Sequence, residues 1–187
     1  DGSFDQFRKH YQPAAARWSA RSPIRCLRYV YGVLHDPVYR EKHALNLKGV
    51  QETLDALYKS EARADVGAIV LTGRGKAFCS GFNLKEIPAG ELNVEKMSAH
   101  FRVLAMWWHQ VLHLITRVCK PVLAAVNGVA AGSGLGMTLC ADLAVCKDTA
   151  RFLPAWHTIG LANDATTSYS LVKIVGFRRA MEWMMTN

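Results

Sequence analysis

Two hydrophobic rhythms alternate along most of this chain. Leu45, Leu47, Val50, Leu54 and Leu57 recur at helical spacing through NLKGVQETLDALYKSEA, with charged residues between them, which predicts an amphipathic helix. Gly67 to Thr72 is a short, mostly apolar, β-branched run closed by Gly73 and Gly75, the signature of a strand buried on both faces. A second strand is expected at Ala77 to Ser80. From about Val94 to Thr116 the helical period returns, with Phe101, Leu104, Ala105, Trp108, Leu112 and Ile115 on one side. Pro121 to Val126 reads as another buried strand, turned at Asn127-Gly128. The small residues of Val129 to Gly136 lead into an apolar helix ending near Cys140, and Asp142 to Cys146 gives a further strand. A last helix is expected from about Ala165 to a stop at Gly176. Strand-then-helix units in series predict an α/β fold. Residues 1 to about 36 show no clear period apart from the apolar run Cys26 to Leu34, a candidate strand. The division is therefore 1–36, poorly readable, and 37–187, the core.

Composition narrows the class. With 187 residues, half of them hydrophobic, the chain suits one domain with a sizeable core. The formal charge of +8 favours anionic partners. Its Lys and Arg residues are scattered, and no zinc spacing or RNA-binding signature accompanies them, so a phosphorylated small molecule is expected rather than nucleic acid. Five cysteines without a CxxC suggest reduced thiols, neither a disulfide framework nor a metal cluster. No apolar run is long enough to span a bilayer, and the amino terminus does not read as a signal peptide, so a cytoplasmic protein without a membrane partner is expected. A first residue that is not Met, and an end at Asn187 just after an amphipathic segment, read as a piece of a longer protein.

Two stretches carry a family resemblance: AIVLTGRGKAFCSGFNLKEI at 68–87 and KPVLAAVNGVAAGSGLGMTLCADLAVCKDTARF at 120–152. Both are similar to the signature segments of the enoyl-CoA hydratase/isomerase, or crotonase, superfamily. The resemblance implies a spiral of ββα turns, here without a C-terminal helical region, and a coenzyme A thioester whose carbonyl is held by two backbone N–H groups. By that resemblance the donors are those of Phe82 and Ser133. Small residues at a helix start allow close backbone approach, and the helix dipole favours the developing negative charge. Many relatives have Gly where Ser133 stands, but the donor is a main-chain group. Taken alone, the AGSGLG turn is equally compatible with tight packing.

The fold does not set the reaction; side chains do. Hydratases of the superfamily use two glutamates as general base and acid. Gly136 and Trp156 stand at those positions here, and neither can exchange the required proton. The segments FRVLAMWWHQ at 101–110 and AWHTIGLANDATTSYSL at 155–171 instead resemble those of the superfamily's 4-chlorobenzoyl-CoA dehalogenase branch. That likeness implies Asp164 as nucleophile, His109 as the base that activates water, and Trp156 as the indole donor orienting Asp164. Phe82, Phe101, Trp108 and Trp156 would wall a slot for a flat aryl ring. Lys42, Lys85 and Arg40 would contact the coenzyme A phosphates. No metal or redox cofactor is implied, coenzyme A being part of the substrate.

Plainer readings stand beside these. An Asp after Asn163 and before a helix also fits an N-cap. His109, Trp107 and Trp108 fit ordinary core positions, and His157 is another candidate base. Exposed lysines are more often solvated charges than ligand contacts. Another acyl-CoA hydrolase, hydratase or isomerase of the superfamily, or a non-catalytic acyl-CoA binder, would share much of the pattern. The resemblance also implies a homotrimer assembled through helices beyond Asn187.

Overall fold

The computed structural model describes residues 29–32, 47–83 and 94–186. The strands are β1 (Tyr29–Gly32), β2 (Ala68–Thr72), β3 (Ala77–Cys79), β4 (Val122–Val126), β5 (Val129–Ala131), β6 (Leu143–Cys146) and β7 (Arg151–Leu153). The helices are α1 (Leu47–Ala62), α2 (Val94–Arg117), α3 (Ser133–Cys140), α4 (Val172–Val175) and α5 (Phe177–Thr186). One 3-10 turn, His157–Ile159, and one π-helical turn, Thr167–Leu171, complete the described elements.

Two parallel sheets form, in strand orders β1-β2-β4-β6 and β3-β5-β7. From β2 onward consecutive strands therefore fall in different sheets: β2 and β3 split, α2 follows, β4 and β5 split, α3 follows, and β6 and β7 split again. That repeat is the spiral of ββα turns expected for this chain, and the fold is α/β. Ile69 pairs with Val122 and Leu123 with Leu143 in the larger sheet, while Val129 pairs with Arg151 in the smaller. Parallel strands covered on both faces must be apolar throughout. Accordingly Ile69, Val70 and Leu71 are all buried, as are Ala124, Ala125 and Val126.

The core lies between the larger sheet and α1 and α2. Val50, Leu54 and Leu57 come from one helix and Trp108, Val111, Leu112 and Ile115 from the other, all at most 2 % exposed. Burying each such side chain contributes roughly 1.5–3 kcal/mol. Asn127 ties the two sheets at their turns: its Oδ1 accepts from the Gly73 N–H at 3.0 Å and its Nδ2 donates to the Gly75 carbonyl at 3.1 Å. Gly128 fits against the Lys76 carbonyl, where a Cβ would collide with it. These contacts fix where β3 and β5 start, and the site lies at the opposite ends of the same two strands.

Three details differ from the sequence reading. The run Cys26 to Leu34 is described as a strand over Tyr29–Gly32. The apolar stretch 129–136 divides at Gly132, φ 51°, into β5 and α3 rather than forming one lead-in. The last helix is broken: the π-helical turn comes first, α4 is only four residues long, and Gly176, φ 83°, does stop it before α5 begins. Two consecutive residues with positive φ, Ala165 and Thr166, prevent a helix from starting where the apolar period starts.

Candidate functional site

A cavity of about 600 Å³ opens where β3, β5 and β7 end against α2. Its floor is backbone. Gly81, φ 88°, follows β3, and a Cβ there would lie 3.1 Å from the Ala131 carbonyl oxygen and 3.6 Å from the Ser133 nitrogen. Glycine at this point lets the 81–82 peptide run alongside the first turn of α3. Ser133 opens that helix and is 5 % exposed. Gly134 packs so closely on Cys79 that no Cβ could be accommodated. Phe82 and Ser133 thus both line one cavity, 51 residues apart in sequence.

The walls are aromatic. Phe101 and Trp156 line the cavity, and Trp156 is 8 % exposed. Trp108 does not line it: it lies behind Phe82, edge to face at a centroid distance of 5.8 Å and an interplanar angle of 75°. Such a contact favours the ring quadrupoles and holds Phe82 in place. The Trp108 indole N–H is buried without a partner among the described residues.

Asp164 lines the far wall, and His109, its partner, is not among the lining residues. Nε2 of His109, on α2, stands 2.9 Å from Oδ1 of Asp164, on the loop before the π-helical turn. Both side chains are about half exposed. Asp164 does not cap a helix. Its carboxylate faces His109, while the residue capping the next turn is Thr166, without a side-chain cap bond. The hydrogen bond made by that carboxylate among the described residues is the one to His109; Trp156 shares the cavity wall with Asp164. His157 sits in the 3-10 turn outside the cavity lining, with Nδ1 buried and unpartnered among the described residues. Asp164 is the one carboxylate among the described lining residues.

Gly136 is buried in α3, where a Cβ would stand 2.5 Å from the Ala165 carbonyl oxygen and 2.6 Å from the Ala165 Cβ. The loop carrying Asp164 fills the space that a larger side chain would need. One turn further on, the Cys140 thiol approaches the Thr166 hydroxyl at 3.4 Å. Burial raises the Cys140 pKa, and the Thr166 contact offsets only part of that rise. The thiol therefore stays protonated.

Ala105, expected on the apolar face of α2, lines the cavity, and so do Ser98, Arg102 and Asn163, which the sequence reading did not single out. Ser98 was legible in principle, because it lies three residues from Phe101 on the same helix, whereas Arg102, the immediate neighbour of Phe101, was not. Lys42, Lys85 and Arg40, the expected coenzyme A contacts, lie outside the described residues. Among the described residues no group of His, Cys, Asp and Glu is arranged to hold a metal ion, and no helix is long and apolar enough to cross a membrane.

Comparison with known proteins agrees with this architecture. The family model described as enoyl-CoA hydratase/isomerase matches residues 33–187. The chain is 56 % identical over 136 residues to 4-chlorobenzoyl coenzyme A dehalogenase-1 of Arthrobacter sp, covering 73 % of this chain and 49 % of that protein. It is 42 % identical over 139 residues to a probable enoyl-CoA hydratase of Rhodobacter capsulatus, covering 74 % and 51 %. Among solved structures, a putative enoyl-CoA hydratase/isomerase from Mycobacterium abscessus superimposes with a TM-score of 0.73 at 29 % identity, over 84 % of this chain and 58 % of that one. The chain spans about half the length of the curated relatives it matches. With the spiral of two parallel sheets, the paired backbone segments at the cavity floor and a family match over most of its length, the chain belongs to the enoyl-CoA hydratase/isomerase family.

Proposed function

We propose that the protein converts 4-chlorobenzoyl-CoA to 4-hydroxybenzoyl-CoA by hydrolytic dehalogenation, with Asp164 as nucleophile. The observation that carries this reading is Asp164, the one carboxylate of the described cavity lining, held 2.9 Å from His109, which stands just outside that lining. A hydratase needs two proton-exchanging groups on the substrate's double bond. Gly136, pressed against Ala165, has no side chain to serve as one. The 56 % identity to the Arthrobacter dehalogenase supports the same assignment.

The aryl thioester lies with its carbonyl oxygen on the N–H groups of Phe82 and Ser133 and its ring between Phe101 and Trp156. Hydrogen bonding to that oxygen draws electron density from the ring, so the carbon para to the carbonyl becomes electrophilic. An Asp164 oxygen adds to that carbon, and the electron pair spreads over the ring and the thioester oxygen. Rearomatisation breaks the carbon–chlorine bond, releasing chloride and leaving an aryl ester on Asp164. Ester formation removes the carboxylate charge that His109 faces in the resting site. The imidazole tautomer with Nε2 free of its proton then takes a proton from water, which attacks the Asp164 carboxyl carbon; the bond from that carbon to the aryl oxygen breaks, and the imidazolium returns its proton to the departing phenolate. The phenolic oxygen left on the product is therefore an Asp164 oxygen. Trp156 would donate its indole N–H to Asp164 once the ring has entered, and Lys42, Lys85 and Arg40 would hold the coenzyme A phosphates. No redox cofactor takes part in these steps.

A single turnover in oxygen-18 water tests this. The first product should carry unlabelled oxygen, and label should enter only in later turnovers. Asp164→Ala should lower chloride release by on the order of 10⁴-fold, and His109→Gln should accumulate the aryl-enzyme. Label in the first-turnover product, or thioester hydrolysis without chloride release, would overturn the reading.

A further inference from the structure

The helix that starts at the cavity floor also supports the opposite wall. Gly136 and Cys140 lie four residues apart, on one face of α3. That face carries the two residues that follow Asp164: Gly136 is pressed against Ala165, and Cys140 meets Thr166 at 3.4 Å. Ala165 and Thr166 have φ of 52° and 63°, both left-handed and neither glycine. Each such residue is strained and persists only where its surroundings hold it. The α3 face is what holds this pair. From Ser133 to Cys140 the helix rises only about 10 Å, too short to flex appreciably between its two duties.

We propose that Gly136 and Cys140 are positioning residues for the Asp164 carboxylate. On this inference α3 is the shared rigid element that fixes how far the attacking oxygen stands from the donor that polarises the thioester. This rests on the dehalogenase reading for its consequence in catalysis and adds a cause of positional specificity. A reacting carbon is reached only when it lies at the separation set by α3, which selects the para carbon over the ortho carbon, the other position that the carbonyl activates.

The test separates geometry from turnover. In the intact protein without ligand, the nitrogen resonances of the His109 imidazole report its hydrogen bond to Asp164, with Asp164→Ala giving the unpaired reference. Gly136→Ala should move these resonances toward that reference, Cys140→Val should move them part of the way, and Cys140→Ser, which keeps a hydrogen-bonding group opposite Thr166, should leave them in place. The absorption of bound 4-hydroxybenzoyl-CoA reports polarisation of the carbonyl by the floor of the cavity. It should be unchanged in all three variants, while aryl-enzyme formation in a single turnover falls about a hundredfold in Gly136→Ala. Adding Ala165→Gly to Gly136→Ala removes one of the two clashing atoms and should restore part of the rate. Unchanged His109 resonances in both Gly136→Ala and Cys140→Val would overturn the proposal. If Gly136→Ala disturbs the whole helix, so that polarisation is lost as well, Cys140→Val decides. If the wild-type protein neither polarises the ligand nor releases chloride, the dehalogenase reading fails, and the His109 resonances still test the positioning role.

Discussion

At the cavity floor Ser133 is 5 % exposed, the 81–82 peptide is pressed against the start of α3, and Gly134 leaves no room for a Cβ beside Cys79. At the wall, Asp164 and the His109 it contacts are 47 % and 54 % exposed, and the loop that carries Asp164 contains consecutive left-handed residues. The floor is built from main-chain groups on buried strands and a helix end. The wall is built from side chains on a helix and a strained loop, 55 residues apart in sequence. A carbonyl-polarising site needs fixed dipoles that do not reorganise during reaction, which close packing supplies. A nucleophile that must bind, react and be released needs a carboxylate that ligand can reach. The contrast is therefore between a region rigid by packing and one held in place by a neighbour.

Ser133→Pro is the sharpest way to break the floor alone. Proline suits the first position of a helix, where its fixed φ fits and its missing N–H is not needed by the helix. The variant should fold, bind the aryl thioester, and lose about 10²- to 10³-fold in kcat, with the red-shifted absorption of bound product diminished. A variant that keeps full polarisation would show that the Ser133 donor is not used.

Gly134→Ala attacks the same region through packing. The added Cβ would meet the carbonyl oxygen and the Cβ of Cys79, both on a buried strand that cannot retreat. Overpacking of this kind costs about 1–3 kcal/mol, and denaturant unfolding should show that loss. Unchanged stability would mean that α3 can slide on β3, and the floor would not be the rigid half of the pair.

Much of this contrast was legible before any coordinates. Strands β2, β3 and β4 and the two long helices follow from patterns that match their burial, whereas β5 and β7 were not anticipated and β6 is largely exposed; the floor was readable through the resemblance of two separated segments. The wall was readable through resemblance around Trp156, Asp164 and His109, yet its geometry was not. Nothing in the sequence shows that Asp164 contacts His109 directly, since that distance depends on how a loop folds back over α3. The expected helix from Ala165 fails for the same reason. Its apolar spacing is helical, but Ala165 packs against Gly136 in a left-handed conformation that local propensity does not encode. Trp108 was expected in the ligand slot and instead supports Phe82 from behind, because a helical face of six apolar residues is wider than the cavity it borders.

Ala165→Gly probes the wall through its strain. Glycine adopts positive φ without the Cβ clash that costs other residues about 1–2 kcal/mol. Part of that relief is offset by the greater entropy of glycine in the unfolded chain, so a net gain of about 0.5–1 kcal/mol in unfolding free energy is expected. The same change should weaken the hold on Asp164 and lower aryl-enzyme formation. Gained stability with lost rate is the outcome that marks strain kept for function, whereas a loss of both would show that the Ala165 methyl group is needed for packing.

The smallest effect comes from the junction of the two regions. Burial raises the Cys140 pKa in the folded protein, and the contact with Thr166 opposes that rise without cancelling it. In the unfolded chain the thiol ionises near its usual value of about 8.5. Below that pH both states hold the proton and Cys140 adds no pH dependence. Above it the unfolded state releases its proton first, so stability falls as pH rises from the unfolded value through the folded one. Cys140→Ala should flatten this alkaline decline in unfolding free energy while leaving the neutral-pH slope untouched. Because the thiol faces Thr166, the His109–Asp164 contact in the wild-type protein should weaken only as pH passes the raised folded value, where the native thiol ionises, and it should not do so in Cys140→Ser, whose hydroxyl does not titrate there. If the decline persists unchanged in Cys140→Ala, other groups set the alkaline limit, and the thiol belongs only to the packing between helix and loop.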